Sequence, residues 1–71
     1  MPKLFSSDEM IKALRKKGFV FISQRGSHAK FRKVGKPTLT VIVPANKKEI
    51  PFGTLRSIYR QSHLSETDFT E

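Results

Sequence analysis

Residues 19–44 read FVFISQRGSHAKFRKVGKPTLTVIVP, and the alternation within this stretch decides the architecture. Phe19 to Ile22 is β-branched and aromatic and too short for a helix, so it predicts a strand continuing through Ser23 to Arg25. Gly26 marks a turn. From Ser27 the period is two, with Ala29 and Phe31 pointing one way and His28, Lys30 and Arg32 the other. Val34-Gly35-Lys36-Pro37 reads as a reversal, and Thr38 to Val43 as a third strand with Leu39, Val41 and Val43 on one side, closed by Pro44. The buried side of the first strand stays open, because Val20 and Ile22 compete with Phe19 and Phe21 for it.

Helical patterns flank these strands. Ser6 and Glu9 form a capping box, and Phe5 with Met10 stands at the spacing of a hydrophobic staple, so a helix is expected to start near Ser7. Met10, Ile11 and Leu14 give its apolar stripe, and Gly18 with Phe19 folding back on Leu14 ends it near Lys17. After a polar connection from Ala45 to Glu49, a second helix carries Leu55, Ile58 and Tyr59 inward and Arg56 and Arg60 outward. Thr54 or a residue just before it is its expected cap. The order helix, strand, strand, strand, helix with short links predicts an α+β fold: a three-stranded antiparallel sheet with both helices on one face. One domain is expected over residues 1–65, followed by an acidic tail, 66–71, that frays.

Only one small domain fits in 71 residues, which excludes a multi-domain enzyme or a transporter. The chain has no cysteine, so disulfide scaffolds and thiolate metal sites are excluded and a reducing compartment is expected. Neither a bilayer-spanning run nor the apolar stretch of a signal peptide occurs, so the expected location is cytoplasmic and away from membranes. Net charge is +8, and because Glu66, Asp68 and Glu71 lie in the tail, residues 1–65 carry +11. A body that basic suits a polyanion or an acidic protein.

The sharpest chemical feature is His28, directly after Gly26-Ser27 and flanked by Arg25, Lys30 and Arg32. Imidazole takes a proton near neutral pH, and neighbouring cations favour its neutral, basic form. On RNA such a base can take the proton of a ribose 2′-hydroxyl while Lys30, Arg32, Lys47 or Lys48 steadies the charge on phosphorus. The residues alone equally allow His28 to be an exposed polar side chain on a solvated sheet. Ser27 is a phosphate donor or simply a turn residue, Lys47 and Lys48 grip phosphate or are solvated, and Arg56 with Arg60 binds an anion or decorates a helix surface. Phe52 is the aromatic residue most open to a stacking role, and His63 suits the helix dipole without chemistry. Metal-ligand spacing and glycine-rich phosphate loops are missing, so neither a metal nor another cofactor is expected.

The string Gly26-Ser27-His28 followed by Phe31-Arg32, a Val-rich strand ending in Pro44, Lys48-Glu49-Ile50, Gly53-Thr54-Leu55-Arg56-Ser57-Ile58 and Arg60-Gln61 resembles the HicA toxin family. Lys17-Gly18-Phe19 and Leu64-Ser65 extend the likeness over nearly the whole chain. The resemblance implies a fold like the double-stranded RNA-binding domain and an mRNA interferase, the toxin of a type II toxin-antitoxin system. It further implies a HicB-type antitoxin as partner, with a toxin that is monomeric when free and oligomeric in that complex. It assigns catalysis to His28 and motif roles to Gly26 and Gly53, while the expected RNA-binding residues, Ser27, Lys30, Arg32, Lys47, Lys48 and Arg56, follow from their own chemistry. The chain departs from the pattern at Asn46, where many members carry a second histidine. The alternatives from the residues themselves are a non-catalytic module that grips RNA by shape and charge, or a subunit whose cations serve only an acidic protein.

Overall fold

Two local devices fix the ends of the first helix. Ser6 Oγ accepts from the Glu9 N–H at 3.1 Å, and the Ser6 N–H donates to Glu9 Oε1 at 2.9 Å, closing the capping box. At the other end Gly18 adopts φ +98, which lets the Phe19 N–H reach the Leu14 carbonyl and the Gly18 N–H the Arg15 carbonyl. Helix α1 therefore spans Ser7–Lys16. The computed structural model describes residues 4–70, so residues 1–3 and Glu71, at the outer ends of the two expected segments, lie outside the described residues.

Strands β1 (Val20–Arg25), β2 (His28–Lys33) and β3 (Leu39–Pro44) form one antiparallel sheet in the order β1-β2-β3, followed by α2 (Phe52–Ser62) and α3 (Glu66–Thr70). Ala29, Phe31, Val41 and Val43 line the sheet face that meets Met10 and Leu14 of α1 and Leu55 and Ile58 of α2, all in one buried cluster. The α+β architecture with both helices on one face is as expected. Each fully buried Phe, Leu or Ile contributes roughly 1.5–3 kcal/mol, and Phe5, Phe19 and Ile50 add to the same core from outside the helices.

The ambiguity of strand β1 has a physical cause. Phe21 pairs with Phe31 but Ser23 pairs with Lys30, so Ile22 is the extra residue of a bulge and the alternation changes phase there. Phe21 thus lies on the helix side, its ring meeting Phe31 edge-on at 5.7 Å, while Val20 and Ser23 share the open face with Arg32 and Lys30. No residue of β1 is buried: Val20, Phe21 and Ile22 remain 55%, 48% and 41% exposed on this edge strand.

Helix α2 begins earlier than expected. Pro51 is the N-cap and makes no side-chain capping bond, which leaves Thr54 in the first turn. Packing sets this start: Ile50 is buried and its N–H donates to the Phe5 carbonyl at 2.8 Å, fixing the chain direction into Pro51.

The tail expected to fray is instead the short helix α3. The Ser65 N–H donates to Asp68 Oδ2 at 2.8 Å, repeating the capping logic of Ser6 and Glu9, and Asp68 also pairs with Lys17 at 3.5 Å. Phe69 is buried, with its ring 6.3 Å from that of Phe5 and 5.3 Å from that of Tyr59. One aromatic anchor outweighs the acidic character of the segment. Burial, and secondarily the Glu66 carboxylate, hold the Tyr59 phenol above its ordinary pKa.

Candidate active site

The strand register stacks the open face into rows. Val20, Arg32 and Thr40 form one row across the sheet, Ser23, Lys30 and Ile42 the next, and Arg25, His28 and Pro44 the last. His28 is the first residue of β2, exposed, and directly opposite Arg25. The loop between them is only Gly26-Ser27, and Gly26 takes φ +55 at the first loop position, where a type II′ turn requires glycine. The Ala45 N–H donates to the Ser27 carbonyl at 2.6 Å, tying the hairpin tip to the segment after β3.

That segment is held in turn by Ser7, a buried residue at the start of α1. Its Oγ donates to the Pro44 carbonyl and accepts the Lys47 N–H at 2.9 Å, and its own N–H donates to the Lys47 carbonyl at 2.9 Å. Three hydrogen bonds of one serine thus fix the backbone that presents Lys47.

His28 stands between two hollows. One, of about 380 Å³, is lined by Ser23, Arg25, Lys30 and Ile42 with His28, so two cations face it. The other, of about 300 Å³, runs from His28 and Ile42 past Pro44 and Lys47 to Pro51, Thr54, Ser57 and Gln61 of the α2 region. Gln61 Oε1 accepts the Ile42 N–H at 3.2 Å, so α2 satisfies the outer edge of β3 at this point.

Of the residues expected to act, His28, Lys30 and Lys47 come together around these hollows. Ser27 lies beside them in the exposed turn with its carbonyl engaged by Ala45. Arg32 shares the face but is half-buried one row beyond Lys30 and lines neither hollow. Lys48 opens instead on a surface with Ser6, Asp8 and Asn46. Arg56 is exposed on α2 outside both hollows, as is Arg60. Gly53 is helical with open space around it, and its carbonyl accepts from Ser57 Oγ at 3.3 Å, so its backbone makes no demand for glycine. Asn46 adopts φ 59, a left-handed conformation that asparagine tolerates better than most residues. His63 caps α2 at φ 59, away from both hollows. Phe52, at the start of α2, is 45% exposed.

Arg25 joins the site although the chain marks it only as a neighbour of His28; a two-residue loop makes the residues flanking it cross-strand partners. Ser23, Thr54, Ser57 and Gln61 join the hollows without having been expected from the sequence. The last three carry a signal, recurring at helical spacing of three and four.

Among the described residues no three His, Cys, Asp or Glu side chains gather to hold a metal ion, and no helix is long and apolar enough to cross a membrane. A family model described as HicA toxin of bacterial toxin-antitoxin matches residues 7–64, from the first residue of α1 to just beyond α2. A search of curated proteins gave no match.

Proposed function

The chain belongs to the HicA toxin family of bacterial toxin-antitoxin systems, and we propose that it acts there as a metal-independent mRNA interferase with His28 as general base. Neutral imidazole takes the proton of a ribose 2′-hydroxyl. The 2′-oxygen then attacks the adjacent phosphorus, and the 5′-oxygen of the next nucleotide leaves with a proton from solvent. The products are a 2′,3′-cyclic phosphate and a 5′-hydroxyl, formed without a water nucleophile or a metal. Arg25 and Lys30 face the phosphate from one side and Lys47 from the other, and Ser27 offers a hydroxyl at the turn. Arg32, Lys48 and Arg56 hold flanking phosphates along the strand. General base catalysis supplies on the order of 10²–10⁴ in rate and a placed charge a comparable factor.

The observation that carries this reading is the exposure of His28 beside Arg25 and Lys30 on the sheet face that the helices leave open. A HicB-type antitoxin is the proposed partner, binding a toxin that is monomeric when free and assembling with it into a larger complex. The substrate places the activity in the cytoplasm, where mRNA is found.

The test is His28→Ala in protein free of contaminating nuclease. Cleavage and growth arrest should vanish while folding and RNA affinity stay near those of the parent, and the parent should cut in the presence of EDTA. Undiminished cleavage by the variant rules out the mechanism. Intact RNA recovered from a stable, salt-sensitive complex with the parent protein favours a binding module instead.

A further inference from the structure

We propose that the hollow between β3 and α2 receives the unpaired base of the nucleotide whose 2′-hydroxyl faces His28, which makes Gln61 and Ser57 specificity-determining residues. The inference deepens the nuclease reading and rests on it for the placement of the ribose. A ribonucleotide has an anionic half and an uncharged planar half, joined through the sugar. The two hollows that meet at His28 divide the same way: Arg25 and Lys30 line one, whereas Ile42, Pro44 and Pro51 give the other apolar walls, with Lys47 as its charged group.

The polar groups of the second hollow are already sorted into a donor and an acceptor. Gln61 Oε1 is engaged by the Ile42 N–H, which leaves the NH₂ of this hollow-lining side chain as the group it can donate. Ser57 Oγ spends its proton on the Gly53 carbonyl and keeps lone pairs to accept. A donor and an acceptor one helical turn apart suit the edge of a nucleobase, which presents both kinds of group. Bases stacked within a duplex cannot enter a concave site, so the occupant is a splayed, single-stranded base.

The experiment uses nuclear magnetic resonance titration of the full chain with each of the four nucleoside 3′-monophosphates and with ribose 5-phosphate. Nucleotides should shift the amides of Ile42, Thr54, Ser57 and Gln61, with at least a fivefold preference among bases. Ribose 5-phosphate should shift only those near Arg25 and Lys30. Gln61→Glu keeps an oxygen for the Ile42 N–H while removing the donor, and should lower the preferred base's affinity at least fivefold and redistribute cleavage sites. Ser57→Ala, which leaves the Ile42 bond untouched, should change base preference at unchanged melting temperature. If base-bearing and base-free ligands shift the same amides, or both variants keep the parent's base preference, the base site is wrong. Cleavage with unaltered sites in both variants overturns the base site and leaves the nuclease standing. Selective base binding by a parent that cuts no RNA overturns the nuclease and leaves the base site standing.

Discussion

Arg25 and His28 are cross-strand partners, held opposite one another by a loop of two residues. Directly opposed side chains of an antiparallel pair have Cβ atoms about 4.5–5.5 Å apart, so a fixed positive charge stands next to the imidazole wherever the hairpin moves. Arg25→Ala should lower kcat/KM for RNA cleavage on the order of 10- to 100-fold with little change in melting temperature, because the side chain is exposed. Arg25→Lys should restore the charge but only part of the rate, since an ammonium lacks the planar fork that fits phosphate. Steady-state kinetics on a defined oligoribonucleotide decides it, and a fully active Arg25→Ala removes Arg25 from the site.

Ser7 never touches either hollow, yet it fixes the segment that carries Lys47. Ser7→Ala leaves the Pro44 carbonyl and the Lys47 N–H without their side-chain partner in a partly buried place. Urea unfolding should show a loss of about 1–3 kcal/mol. Cleavage should fall as well, through a raised KM, as the Lys47 backbone loosens. A variant as stable as the parent would mean that water replaces the serine at no cost.

Phe69 turns the acidic end of the chain into part of the core. Phe69→Ala should destabilise the protein by about 2–3 kcal/mol, at or below the lower limit usual for a buried phenylalanine, because α3 can detach and spare the rest. Tyr59 is the only tyrosine and there is no tryptophan, so its emission reports directly on the loss of the Phe69 ring. Unchanged emission and melting temperature would show that α3 contributes nothing in solution.

The docking of α3 also has an acid limit. The Ser65 backbone N–H, the Ser65 hydroxyl and the Lys17 ammonium hold the Asp68 carboxyl below its ordinary pKa. A carboxylate with a depressed folded pKa contributes stability that is complete above the unfolded value, near 3.9, and is lost as pH falls through the folded one. The Tyr59 signal of α3 docking should therefore hold from neutrality to about pH 4 and fall below it. In Asp68→Asn the step assigned to this group should disappear; a step of undiminished size points to another carboxylate.

Where local chemistry dictates structure, the residues announce it. The Ser6–Glu9 box, the Gly18 stop and the Gly26 turn each depend on three to six consecutive residues, and all three appear where reading the chain places them. What escapes is what depends on distance along the chain. The bulge at Ile22 is visible only once β2 supplies a register, and Ser7 marks only the start of a helix until Pro44 and Lys47 arrive beside it. Gln61 stands out in the sequence only beside Arg60 in the family-like string, because nothing near it in the chain hints at the Ile42 N–H it meets. Phe69 shows the same limit: acidic neighbours suggest a solvated tail, and Phe5, one of the two rings that meet it, lies at the opposite end of the chain.

The apolar rim formed by Val20, Phe21 and Ile22 gives ionic strength two opposing effects on this molecule. Added salt should weaken the proposed hold on RNA, because the counterions displaced from phosphate then enter a solution already rich in them. The same salt screens the mutual repulsion of chains carrying +8 each, and so removes the barrier that keeps one sticky border from lying against another. Light scattering at rising sodium chloride should therefore record growing particles over the range in which RNA affinity declines, and Ile22→Lys should abolish the growth without altering the decline. If both effects hold, variants that lower the net charge of +8 should lose dispersion and RNA affinity together.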